Sequence, residues 1–206
     1  MTTVTQTGAP RAPITHAVRG GGGLSLHVRE WGNPSGTPIL FLHGWSQSHL
    51  AWRRQYDSDL ADDLRLVACD LRGHGMSETP ADATSDDIPT SIRGMRGLVG
   101  AFAVSPLPAA DEETLLCSGM TVPAAVRAHL AARELDYDDV MHSLRVPLLV
   151  TQGRDDTIVL PAMAEHIART CPTAEISWYD HTAHVPHLEH PDRFNRELAE
   201  LAGRTT

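Results

Sequence analysis

The stretch Pro38-Ile-Leu-Phe-Leu42-His43-Gly44-Trp45-Ser46-Gln47-Ser48 decides how the rest of the chain is read. From Pro38 to Leu42 the residues are apolar without a break, whereas a half-exposed strand would alternate apolar with polar. Such a run predicts a central strand of a parallel sheet, covered by helices on both faces. It stops at His43-Gly44, where glycine lets the backbone turn sharply and leaves the Trp45 amide able to point into a cleft at the strand's carboxyl end.

Working outward, residues 24–31 alternate apolar and polar as a half-exposed strand, and the four glycines at 20–23 supply a turn to a short strand over 14–18. On the other side, Leu50, Trp52, Tyr56, Leu60 and Leu64 fall near helical spacing over 50–63, and a second buried strand over 64–69 ends at Asp70. Far downstream, a strand over 146–150, a helix over about 160–170, a strand over 174–179 and a helix after Pro191 repeat the pattern. Both ends are therefore α/β, divided as a 14–80 part and a 146–203 part of one core. Between them, 81–145 holds helical candidates around 91–104, 111–117 and 123–135 with no convincing buried strand, which predicts a helical lid laid over the sheet.

Composition narrows the function. The 206 residues suit one globular domain, and the formal charge of -9 is the wrong sign for holding a phosphate backbone. All 17 basic residues are arginines, so neither a Schiff-base amine nor a P-loop lysine exists in this sequence. Cys69, Cys117 and Cys171 are too few and too scattered for a disulfide framework or a CxxC site. A polar stretch over 1–13 and the lack of any long apolar run predict a cytoplasmic protein with a small-molecule ligand, no nucleic acid and no membrane. Neither a cofactor nor a metal is expected.

In parallel α/β sheets, ligands bind beyond the carboxyl ends of the strands. Four loops lie there: His43-Gly-Trp-Ser-Gln-Ser48, Asp70-Leu-Arg-Gly-His-Gly-Met-Ser77, Gln152-Gly-Arg-Asp-Asp-Thr-Ile-Val159 and His181-Thr-Ala-His184-Val-Pro-His187-Leu-Glu-His190-Pro191. Taken in that order they resemble the α/β-hydrolase family, in particular its lid-bearing esterases, cofactor-free haloperoxidases, epoxide hydrolases and haloalkane dehalogenases. The resemblance covers residues 24–80 and about 111–203.

It implies an α/β-hydrolase-like, mostly parallel sheet with helices on both faces and a helical lid. Residue by residue, it makes Asp156 the acid that orients a histidine, His184 the general base, and the Trp45 amide one donor of the oxyanion hole. Ser46, in the same loop, is placed where substrate would bind. His43 and Asp70 read as structural, and Asp155 as a neighbour of the acid. A carboxylate that holds one imidazole nitrogen leaves the other free to take a proton.

One part of the family pattern is missing. The nucleophile should stand on a strand-to-helix turn in a Gly-x-Ser-x-Gly pattern, or with Asp in the middle, and no such pattern occurs. The family pattern runs to Pro80 and lid-like sequence begins by residue 86, whereas a strand–helix–strand unit needs at least ~30 residues. An in-frame loss of that unit is expected, with the central strands missing. Two absent strands would open a gap of roughly 10–15 Å at about 4.8 Å per strand. Either the 146–151 strand then shifts to pair beside 38–42, or both edges stay exposed and self-association follows.

Three functions remain open at this level: a hydrolase with a stand-in serine such as Ser46 or Ser118, or with an activated water; a non-catalytic, ligand-binding remnant; and metal binding by His181, His184, His187 and His190, which recur every three residues.

Overall fold

The computed structural model describes residues 12–80, 92–134 and 136–204, so the expected point of loss at 81–86 lies outside the described residues. In chain order the elements are β1 (Ile14–Arg19), β2 (Ser25–Gly32), β3 (Pro38–Leu42), α1 (Arg53–Tyr56), α2 (Leu60–Asp63), β4 (Arg65–Cys69), α3 (Ile92–Gly100), α4 (Ala109–Thr121), α5 (Ala124–Ala131), α6 (Asp138–Ser143), β5 (Leu148–Gly153), α7 (Pro161–Thr170), β6 (Ala174–Tyr179), α8 (Pro186–Glu189) and α9 (Pro191–Gly203).

The strands form two sheets. The first is mixed, in the order β1-β2-β4-β3, with β1–β2 and β2–β4 antiparallel and β3–β4 parallel. The second is the parallel pair β5-β6. No ladder joins β3 to β5 among the described residues, so of the two expected arrangements the sheet takes the open one.

The reading of residues 38–42 as a central strand therefore needs correction: among the described residues β3 lies at an edge. Ile39 and Phe41 face a core with Leu60, Leu66, Ala68, Trp52 and Leu198, while Leu40 and Leu42 are 61% and 54% exposed. The apolar run is that of a strand covered on both faces, but only one face finds a partner.

The expected single helix over 50–63 breaks into a 3-10 turn, His49–Trp52, and two four-residue helices. Local side-chain bonds compete with the helix there. Ser58 Oγ donates to the Gln55 carbonyl at 2.6 Å and accepts from the Leu60 amide at 3.3 Å, which re-routes the backbone. By contrast α7, α8 and α9 each start on a proline, whose missing N–H costs nothing in a first turn.

A second core cluster joins Val99 and Phe102 at the end of α3, Leu115 of α4, and Val185 and Leu188 of the loop and turn after β6. The helices between β4 and β5 thus pack onto the C-terminal part of the fold. None of the helices among the described residues is long and apolar enough to cross a membrane.

Candidate active site

The loop after β5 brings Asp156 to the loop after β6. Gly153 makes this possible, because a Cβ there would strike the carbonyl oxygens of Thr182 and Ala183. The Arg154 amide donates to the Tyr179 carbonyl at 2.9 Å and the Asp155 amide to Thr182 at 3.0 Å, so the two loops run together. Asp155 is exposed and Asp156 buried.

Asp156 Oδ2 accepts from His184 Nδ1 at 3.0 Å, while Oδ1 accepts the amides of Ile158 at 2.8 Å and Val159 at 3.0 Å. The carboxylate is thus fixed by its own turn before it meets the imidazole. With Nδ1–H donating, Nε2 is the nitrogen left with a lone pair, and it has no hydrogen-bond partner among the described residues. The His184 side chain is 31% exposed, so water reaches it.

Two further contacts hold His184. Its amide and that of Val185 both donate to the Phe102 carbonyl, at 2.8 and 3.2 Å, and the Phe102 ring lies 5.3 Å from the imidazole. Glu189 bridges the same junction, accepting from Ala183 at one oxygen and from Val104 at the other, at 2.8 and 2.9 Å. Sequence reasoning placed Glu189 in the histidine motif but had no signal for its partner 85 residues away.

The loop after β3 is held differently. His43 Nδ1 donates to the Gly44 carbonyl and Nε2 accepts from the Leu71 amide, so the ring is a neutral structural link. Burial holds it below the ordinary histidine value, only partly offset by the Gly44 bond. Asp70 serves the neighbouring loop, and a Cβ at Gly75, where φ is +52°, would fall on its carboxylate.

Trp45 is exposed, its indole N–H donates to the Arg127 carbonyl at 3.2 Å, and its amide has no acceptor among the described residues. Ser46 is buried at φ +61°, and its hydroxyl turns to the Gly119 carbonyl at 3.4 Å. Ser118 is also buried, 3.0 Å from the Ser48 hydroxyl. Among the described residues, neither Trp45 nor either serine hydrogen-bonds to the Asp156–His184 pair.

The four C-terminal histidines, one of the alternatives left open as a metal site, form no metal-sized group among the described residues. His184 is committed to Asp156, His187 packs between Trp52 and Phe194, His190 lies against Tyr179, and His181 is exposed. Prolines 186 and 191 each begin a new helix, so the three-residue spacing never becomes one extended face.

The profile of a family described as alpha/beta hydrolase fold matches residues 37–100. An epoxide hydrolase of Caballeronia sordidicola is 37% identical over 83 residues, 40% of this chain and 25% of that protein. A non-heme chloroperoxidase, CPO-A1 of Kitasatospora aureofaciens, is 21% identical over 269 residues, taking in 88% of this chain and 97% of that protein. The solved esterase RhEst1 of Rhodococcus sp. ECU1013 superposes with a TM-score of 0.81 at 24% identity, over 92% of this chain and 97% of that one. With the ordered loops, these show that the chain takes the α/β-hydrolase fold. Several curated relatives are matched over only a quarter to a half of their length.

Proposed function

We propose that this chain keeps the acid–base half of a hydrolase site and lacks a nucleophile of its own. Asp156 is the acid, His184 the base and the Trp45 amide an oxyanion donor, with residues 81–145 a lid and Ser46 lining the substrate side of the loop. The ligand class is a small, largely apolar, ester-like molecule.

The observation that carries this reading is the 3.0 Å Asp156–His184 bond with Nε2 unpartnered, beside serines whose hydroxyls are engaged elsewhere. An internal loss after Pro80 is supported by β3 and β5, each with one edge unpaired among the described residues, and by a match to the chloroperoxidase that is longer than the 206-residue chain itself.

Without a nucleophile no acyl-enzyme forms. What remains is general-base chemistry: Nε2 takes a proton from water, the oxygen adds to the carbonyl carbon, and the leaving group departs with that proton. Water is a far weaker nucleophile than an activated serine held in place. Hydrolysis of a short-chain p-nitrophenyl ester by the monomeric protein, with His184→Ala beside it, tests the proposal. Both are expected to match the buffer blank within severalfold; a fast rate lost in His184→Ala overturns it.

A further inference from the structure

One buried cluster of ligating side chains lies outside the Asp156–His184 pair. His27 is on β2, His49 opens the 3-10 turn after β3, and Asp70 follows β4. Each offers one ligand atom, and these atoms all lie within 4.8 Å of one another. Among the described residues no other group of His, Cys, Asp and Glu is so close.

Asp70 is fully buried, and a buried carboxylate is costly unless its charge is balanced. The chain has no lysine, and no arginine pairs with Asp70 among the described residues; its one side-chain ion-pair partner there is His49. His49 Nδ1 lies 3.0 Å from both carboxylate oxygens, and the amides of His49 and Met76 complete the set at 2.6 and 3.0 Å. The His27 ring stands 5.3 Å from the His49 ring, half-buried, with no side-chain hydrogen bond among the described residues. The donor set is thus two imidazoles and a carboxylate, with one imidazole reachable from solvent.

We propose that His27, His49 and Asp70 bind one divalent transition-metal ion of the zinc or cobalt type. Nitrogen and carboxylate donors of this kind suit Zn2+, and three protein ligands leave a position for water. The ion takes the lone pair of His49 Nδ1 in place of the proton shared there with Asp70; in a neutral ring that proton passes to Nε2, and from an imidazolium, whose Nε2 already holds one, it leaves to solvent. Because the ligands come from β2, the turn after β3 and the end of β4, the ion ties together the carboxyl end of the four-stranded sheet.

The test is titration of untagged, chelator-treated protein with ZnCl2 by calorimetry, and with Co2+ by visible absorption. One equivalent is expected, with an intense tetrahedral Co2+ band. His27→Ala and His27→Gln, at a half-exposed position, should each lower affinity at least about tenfold with an unchanged circular dichroism spectrum. His190→Ala should have no effect. Absence of binding, unchanged affinity in both His27 variants, or loss of binding in His190→Ala overturns the assignment.

Discussion

At Asp156 the two carboxylate oxygens do different work: one holds the amides of its own turn, the other holds His184. Asp156→Ala strands all of these donors and is expected to cost about 1–3 kcal/mol in urea unfolding, with Asp156→Asn less damaging because it keeps an acceptor. Equal stability of the two variants would show that the turn does not depend on that side chain. His187 sets a pH dependence. Burial, then the neighbouring His184, push its pKa down to about 4, against an opposing bond to Ala51, and its Nε2 is buried without a partner among the described residues. The unfolded chain therefore takes up a proton near pH 6.5 that the fold refuses. Stability is full above that value and falls by about 1.4 kcal/mol per pH unit down to about pH 4. Denaturation midpoints at pH 7 and pH 5 should differ, and His187→Phe should narrow the difference. Asp156 and His184 stand out as candidates in the sequence because their neighbours, Ile158-Val159 and Val185-Pro186, carry the family pattern, and the structure pairs their side chains at 3.0 Å. The His27–His49–Asp70 cluster was not, because its members come from three separate elements and share no motif.

Elements that stand on their own were read almost to the residue: β6 at 174–179 and α7 after Leu160 follow from apolar runs, a proline start and helical spacing. Segments that depend on distant partners were not. The link from Phe102 to Val104 reads as the tail of a helix, yet its carbonyl and amide groups hold the histidine loop. Glu189→Ala should release both ends of that link. Hydrogen exchange at the Val104 and Ala183 amides should accelerate at least tenfold while β2 and β4 amides are unchanged. Uniform acceleration across the fold would instead make Glu189 a general stability residue.

At the scale of the molecule, no ladder joins the four-stranded sheet to the β5–β6 pair among the described residues, and helices and loops connect them. Leu40 and Leu42 on β3, and Val146 just before β5, are more than half exposed. Such an edge is a template for pairing with another chain. The protein is expected to associate with rising concentration, and Leu40→Lys with Leu42→Lys to raise the monomer fraction severalfold in size-exclusion chromatography with light scattering. An unchanged distribution would place any association elsewhere. The proposed loss of a strand–helix–strand unit rests on the family pattern, and apolar pattern alone does not tell whether the flanking strands close up; among the described residues no ladder joins β3 to β5.

The central claim, an oriented acid–base pair with no nucleophile, is tested most directly by intact-mass analysis after incubation with a fluorophosphonate that traps activated serines. The account predicts the unmodified mass. A stoichiometric adduct, mapped to Ser46, Ser118 or any other serine and abolished in His184→Ala, would contradict it.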